Sequence, residues 1–368
     1  MEIILSINEL NDIFQILNSV VPSKAIRPAL SYIYLTADKQ ITVVATDLEI
    51  GVEINLEKGS VLKKGETLLP AGRLSAICHE LKDGNITIKT SSNEAMITSG
   101  QAEFSLPLER TDDYPEIEFS AKPCGSVNAE HFSTMIKKTS FATATERSRF
   151  AINGINIVLK EGKLDMTATD GRRLANVSIA IKEKVNDFSV IVPTRSLLLV
   201  NKVVAVTGVK MIGIEMDENS IVFILPNIKI MARLISGRFP DYNSVIPKKN
   251  KNKVVIDKSI FEKVVRSAAL VTSDESRSVL LKFSKNKLST SAQTNVYGKS
   301  FVEEQIDYDS DPLEIRFNPS YLLDGIKVCD TKKVKFSIKD NYSPVLVEED
   351  KVKNCSYKYV ITPINIVT

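Results

Sequence analysis

The feature that most limits what this chain can fold into is an internal repetition at a spacing of about 123 residues. ITVVATDLEIGVEI (41–54) is matched by LDMTATDGRRLANVSI (164–179), which sets Asp47 and Asp170 123 residues apart. Pro70 of TLLPAGRLSAICHEL (67–81) and Pro193 of VIVPTRSLLLVNKVV (190–204) repeat that spacing, and Pro115 of DDYPEI and Pro240 of FPDYNSVI stand 125 apart. Fainter third copies are LSTSAQTNVYGKSFVEEQI (288–306) and IRFNPSYLLDGIKVC (315–329). A unit copied in tandem must bury its apolar face within itself or against its neighbour, so the array constrains the fold before any single residue does.

Each copy opens with a helical segment: INELNDIFQILNSV, VNAEHFSTMIKKTSF and IDKSIFEKVVRSAAL. Asn8, Asn128 and Asp257 are the expected N-caps, because their side-chain oxygens accept from the unpaired amides of a first helical turn. Leu10, Ile13, Phe14 and Leu17 recur at helical spacing and mark one buried face. The downstream segments pair a short β-like run with an apolar helical run, and the remainder reads as short strands between Gly, Asn and Asp turns. Each repeat is therefore α+β, with two helices on a strand-rich layer. The expected boundaries are 1–120, 126–246 and 253–368, separated by Pro-rich, charged linkers at 108–125 and 236–253. The lysine run KKNKNK in the second linker is read as a solvated linker rather than a nucleic-acid contact.

Composition removes several classes of function. The four cysteines, Cys78, Cys124, Cys329 and Cys355, form no C-x-x-C pair, and only His79 and His131 represent histidine, so neither a metal site nor a nucleophile–histidine system is signalled. No cofactor is expected. No apolar run approaches the roughly 20 residues of a bilayer span, and MEIILSINEL is acidic where a secretory signal is basic, so a cytoplasmic protein with no membrane partner is expected. The net charge of +3 announces no nucleic-acid partner by itself, but its distribution does. Lys24 and Arg27, Lys137 and Lys138, and Lys263 and Arg266 lie in or just after the first helices, and Arg73, Arg195, Lys202 and Lys327 lie in the second ones. Any one such lysine merely complements a helix macrodipole. Recurrence in three copies instead points to a basic face that touches the phosphate backbone of duplex DNA without reading sequence.

TATDGRRLA (167–175) looks most like an active site, with Asp170, alone or with Asp47, as a base and Arg172 and Arg173 holding an anion. Asp47 and Asp170 occupy equivalent places in different repeats, however, and a recurring Thr-Asp pair suits a turn whose short side chains bond local amides. No catalytic residue is expected.

Six segments in order, TDLEI (46–50), RFAING (149–154), ATDGRRLA (168–175), GRFPDY (237–242), FNPSYLLDGI (317–326) and YVITPI (359–364), resemble the bacterial sliding clamps, the beta subunits of DNA polymerase III. The resemblance spans essentially the whole chain. It implies three tandem DNA-clamp repeats in each protomer and a head-to-tail, ring-shaped homodimer that encircles DNA, with helices lining the hole. The implied activity is that of a non-catalytic processivity factor, against the alternative of a non-specific DNA-binding scaffold that does not enclose DNA.

It also implies a partner-peptide pocket between repeats two and three, formed by Arg149, Ile152, Thr169, Gly171, Arg172, Arg173, Leu174, Pro240, Val245, Val360, Thr362, Pro363, Ile364 and Ile366. The replicative polymerase, the clamp loader, translesion polymerases and mismatch-repair proteins would share it. Phe104 and Leu106 against Leu270 and Val271 are the implied dimer contact, through edge strands paired across subunits. The chain departs from the family pattern at Arg172, where histidine is common, at Thr362 and Ile364 in place of methionines, and at Asn365 in place of arginine. Stiffer β-branched residues at the tail make the expected groove less adaptable.

Overall fold

The computed structural model describes residues 1–22, 24, 26–145, 151–248, 252–273, 277–351 and 355–364. In the first repeat, β1 (Glu2–Ser6) leads into α1 (Ile7–Leu17), then β2 (Tyr32–Ala37), β3 (Ile41–Thr46), β4 (Ile50–Leu56), β5 (Gly59–Lys63) and β6 (Gly65–Pro70). Then come α2 (Ala71–Leu81), β7 (Asn85–Thr90), β8 (Glu94–Ser99) and β9 (Ala102–Pro107). The second repeat runs β10 (Lys122–Asn128), α3 (Ala129–Thr139), β11 (Gly154–Lys160), β12 (Lys163–Thr169), β13 (Arg173–Ala180), β14 (Phe188–Pro193), α4 (Thr194–Thr207), β15 (Met211–Met216), β16 (Ser220–Leu225) and β17 (Ile228–Arg233). The third runs β18 (Asn252–Asp257), α5 (Lys258–Ala269), β19 (Val279–Ser284), β20 (Lys287–Thr294), β21 (Gly298–Gln305), β22 (Leu313–Phe317), α6 (Pro319–Lys327), β23 (Lys333–Ile338), β24 (Val345–Glu349) and β25 (Cys355–Ile361). The order is the same each time except for the short extra strand β5, so the α+β tandem reading holds.

The helix signals are partly displaced from their expected residues. Leu10, Ile13, Phe14 and Leu17 are all buried, as the periodicity requires. Asn8, however, lies inside α1, and Ser6 is the N-cap, its hydroxyl accepting from the Glu9 amide at 3.5 Å. Asn128 directly precedes α3. Asp257 occupies the N-cap position of α5 without a side-chain capping bond.

Among the described residues all ladders are antiparallel, and two of the four sheets ignore the repeat boundaries. One eight-stranded sheet is ordered β10-β15-β16-β17-β4-β3-β2-β6, joining repeats two and one through β17 and β4, with Ala232 opposite Ile50. The other, β14-β11-β12-β13-β25-β24-β23-β18, joins repeats two and three through β13 and β25, with Ile361 opposite Arg173. The remaining sheets, β5-β1-β7-β8-β9 and β21-β20-β19-β22, leave β9 and β21 as edges. The compact units of the chain accordingly cut through the second repeat: one is Met1–Glu130 with Glu183–Val185 and Arg195–Leu234, the other His131–Lys182, Asn186–Thr194 and Ile235–Thr368.

Neither linker is simply solvated. Strand β10 begins at Lys122, inside the first expected linker, and Phe119 just before it is buried against Val222 and Met231, with Ile117 beside it. In the second linker Tyr242 and Ile246 pack on Leu174, Leu346 and Val360. Counting through the ladders makes Gly51, Met231 and Val222 at the first joint equivalent to Leu174, Val360 and Leu346 at the second. At the first joint, glycine makes room for the linker: a Cβ on Gly51 would lie 3.0 Å from Ile117 and 3.1 Å from the Phe119 ring.

Candidate functional site

TATDGRRLA forms the tight β12–β13 turn, and its polar side chains close on their own backbone. The Thr169 hydroxyl donates to the Arg173 carbonyl (2.6 Å) and accepts from the Gly171 amide (3.1 Å), while Asp170 Oδ1 accepts from the Arg172 and Arg173 amides (2.9 and 3.0 Å). One repeat earlier, Thr46 donates to the Ile50 carbonyl (2.8 Å) and Asp47 Oδ1 accepts from the Glu49 and Ile50 amides (3.0 and 2.8 Å). Gly171 (φ 87°) and Leu48 (φ 76°) hold the same left-handed position of the turn, which glycine adopts without strain. The Thr-Asp pair is thus the turn device expected from its recurrence.

Arg173 is turned inward. Its Nε donates to Asp170 Oδ2 (3.0 Å), one terminal nitrogen to Asp324 (2.6 Å) and the other to the Phe141 carbonyl (2.7 Å), and the guanidinium lies 4.5 Å from the centroid of the Tyr321 ring. Burial opposes its charge, but the Asp324 hydrogen bond with the fields of Tyr359 and Asp170 outweighs that, so its pKa is raised and it stays charged. This side chain braces the site rather than lining a rim. Arg172, by contrast, is exposed.

An apolar cluster forms at the sheet joint itself. Leu174 pairs opposite Val360 and Val360 opposite Leu346, and Tyr242 and Ile246 pack against these three buried side chains. Past β25 the tail continues alongside the turn, Thr362 donating its amide to the Arg172 carbonyl (3.0 Å) and Ile364 to the Arg316 carbonyl (2.8 Å). Val245 and Ile364 are exposed apolar residues, Pro240 is half-buried, and Ile152, Thr169 and Pro363 are buried. Leu174, Val360, Tyr242 and Ile246 are therefore gathered around one apolar floor, with Arg172 and Thr362 at its turn. Arg149 and Ile366 lie outside the described residues. Tyr242, Ile246 and Leu346 belong to the apolar cluster beyond the residues expected from the sequence, and the first two lie in the repeating segment FPDYNSVI.

Models of the DNA polymerase III beta subunit match the chain in three consecutive pieces: the N-terminal domain over residues 1–118, the central domain over 126–241 and the C-terminal domain over 243–365. The chain belongs to the DNA polymerase III beta subunit family. Among relatives, the beta sliding clamp of Chlamydia pneumoniae is 28% identical over 370 residues, covering 100% of this chain and 99% of the relative. The crystal structure of the DNA polymerase III subunit beta from Pseudomonas aeruginosa superposes with a TM-score of 0.93 at 27% identity, covering 100% of both chains. The sliding clamp of the same organism bound to griselimycin gives a TM-score of 0.92, also at 27% identity and over 100% of both chains.

In this beta-subunit chain the cations expected on DNA divide into four groups. Lys24, Arg27, Arg73 and Lys137 are exposed and form no ion pair among the described residues. Arg195 and Lys202 are engaged at the first joint, Arg195 with Asp47 and the Ser19 carbonyl (2.7 Å) and Lys202 with the Gln15 carbonyl and the Ser19 hydroxyl (3.1 Å). Lys263 pairs with Glu304 at 2.6 Å and Arg266 with Glu262 at 3.6 Å, leaving both exposed but part-neutralised. Lys138 is a correction: its side chain is 2% exposed and lies 2.7 Å from Glu349 and 2.8 Å from Asp330, so it cannot present charge to a polyanion.

Of the expected dimer residues, Phe104 and Leu106 lie on the edge strand β9 and share one face, Leu106 buried in its own sheet's core. Leu270 and Val271 are not on an edge strand. They follow the last turn of α5, Leu270 is 79% exposed, and the Val271 carbonyl accepts from Thr294 at the β20–β21 turn (2.9 Å). Among the described residues there is no His/Cys/Asp/Glu group arranged to hold a metal, and no helix is long and apolar enough to cross a membrane. Cys78 and Cys329 are buried, which pushes each thiol up to about 12 and away from the reactive thiolate.

Proposed function

We propose that the chain is a non-catalytic processivity clamp of DNA replication: a head-to-tail homodimer that encloses duplex DNA and tethers the replicative polymerase through the groove over Leu174 and Val360. One observation carries this reading. Both internal joints pair the last strand of one repeat with the third strand of the sheet half in the preceding one, β17 with β4 and β25 with β13, and the same rule applied once more pairs β9 with β21 of a second copy. Leu106 is equivalent to Ala232 and Ile361, and Gly298 to Ile50 and Arg173, so Leu106 would face Gly298 and Ser105 would face Lys299. Such pairing also covers two edges that would otherwise template aggregation.

Enclosure gives long residence without tight contacts, which suits a tether that must translate along DNA. Lys24, Arg27, Arg73 and Lys137 would supply weak, sequence-independent phosphate contacts. Repeats bounded at 1–120, 126–246 and 253–368 form six units in the ring. The clamp loader, translesion polymerases and mismatch-repair proteins take turns at the same groove as the polymerase, in the bacterial cytoplasm at the nucleoid. The Thr-Asp turns bond their own backbone, which supports an absence of catalysis.

The test is retention: clamp loaded onto DNA should stay on a closed circle and leave the same DNA once it is linearised. Equal loss from both would favour a scaffold that does not enclose DNA.

A further inference from the structure

Beside the apolar floor, on the same sheet face, lies a groove of about 990 Å³ that no expectation from the sequence assigned. Its rim is basic: Lys248, Lys253, Lys335 and Lys358 stand against a single carboxylate, Glu348. Lys335 is paired with Glu348 at 2.7 Å, while Lys248, Lys253 and Lys358 form no ion pair among the described residues. Lys358 stands opposite Glu348 across the β24–β25 ladder, so four ammonium groups share one carboxylate, an excess of positive charge that an anionic occupant relieves.

The groove is continuous with the floor. Across the strands, Leu174 faces Val360, Val360 faces Leu346, Leu346 faces Ser337 and Ser337 faces Lys253. Ile246 and Leu346 belong both to the apolar cluster and to the groove wall. At the ordinary spacing of strands, the row from Leu174 to Lys253 spans roughly 19 Å, the reach of about six extended residues. An extended peptide anchored over Leu174 and Val360 can therefore lay its flank along the lysines.

We propose that this groove takes an acidic segment of the same partner peptide, placed about three to six residues from the apolar anchor. The inference rests on the peptide-pocket reading above. It assigns the lysines the task of ranking competing partners by the charge next to their anchors, a role that complementary charge performs well at an exposed interface.

Fluorescence anisotropy on the full chain tests it with synthetic peptides that share a Leu/Phe anchor and carry four Asp/Glu residues, or four Gly/Ser residues, at either end. One acidic version should bind about tenfold more tightly than its neutral counterpart, and the gain should shrink at high salt. Lys253→Glu with Lys358→Glu should abolish the gain and leave the neutral peptide unaffected. Lys248→Gln with Lys253→Gln, which adds no like charge beside Glu348, should reduce it and guards against misfolding of the first variant. No gain from acid at either end, or a gain that survives both variants, overturns the proposal. If instead the variants weaken a short duplex probe while the acidic gain persists, the groove belongs to nucleic acid and the proposal is overturned. Failure of the neutral peptide to bind sinks the pocket reading itself, and the groove proposal with it.

Discussion

Lys138 Nζ lies 2.7 Å from the Glu349 carboxylate with both side chains almost wholly enclosed, joining helix α3 of the second repeat to strand β24 of the third. Asp330 adds a second carboxylate at 2.8 Å and donates its own amide to Glu349. Lys138→Met would strand Glu349 in the interior, and a loss of about 3–5 kcal/mol is expected in urea unfolding. Burial lowers the Lys138 pKa, but the bonds to Asp330 and Glu349 override this and raise it. A lysine whose folded pKa exceeds its unfolded one stabilises fully below the unfolded value and loses that contribution as pH rises through the folded value. Wild-type stability should therefore fall above about pH 10.4, with a shallower fall in Lys138→Met.

Replacing Arg173 tests whether it braces or grips. Arg173→Lys keeps the charge but cannot reach Asp170, Asp324 and the Phe141 carbonyl together, so a stability loss of about 2 kcal/mol is expected in thermal unfolding. Arg172→Ala, on the exposed side of the turn, should leave the melting temperature unchanged.

Helix α6 crosses the ring of Tyr359 at Gly325. A Cβ there would overlap the ring, which is fully buried and held by its hydroxyl bond to the Tyr321 carbonyl at 2.7 Å. Gly325→Ala is expected to cost about 2–3 kcal/mol, although alanine is the better helix former, because the ring has nowhere to move. Urea titration followed by far-UV circular dichroism reads the midpoint.

Ser105→Cys combined with Lys299→Cys should give a disulfide-linked species of twice 40.8 kDa under mild oxidation. Neither single variant should do so, and a double variant moved two residues along β21 should cross-link poorly. Equal cross-linking in both registers would break the pairing rule taken from the internal joints.

The repeat, the element order and the Thr-Asp turn were legible because each is local and recurs, so one copy interprets another. Where two residues of the same chemistry compete locally, sequence did not decide: Ser6 and Asn8 both suit an N-cap. Ser6 takes the role, its hydroxyl accepting from the Glu9 amide, while the Glu9 carboxylate accepts from the Glu57 and Lys58 amides (2.7 and 2.9 Å), partners no window around α1 contains. Lys137 and Lys138 illustrate the same limit, since one faces water and the other faces Glu349, 211 residues away. The apolar cluster at the second joint was half legible. Leu174 and Val360 came with the family resemblance, whereas Leu346 and the lysines around it meet only through the register of β18, β23, β24 and β25.

What was copied three times in this sequence is not what holds together as a folding unit. Because β17 completes the sheet of β4, and β25 that of β13, the second repeat has given one half of its strands to each neighbour. Cut out and expressed alone, residues 126–246 would present two four-stranded half-sheets with bare edges and fold poorly. A nick in the linker around 108–120, by contrast, should leave both fragments bound through an unbroken ladder. In this chain the cooperative unit straddles the duplicated one, so truncations are best placed at the edges of sheets rather than at the ends of repeats.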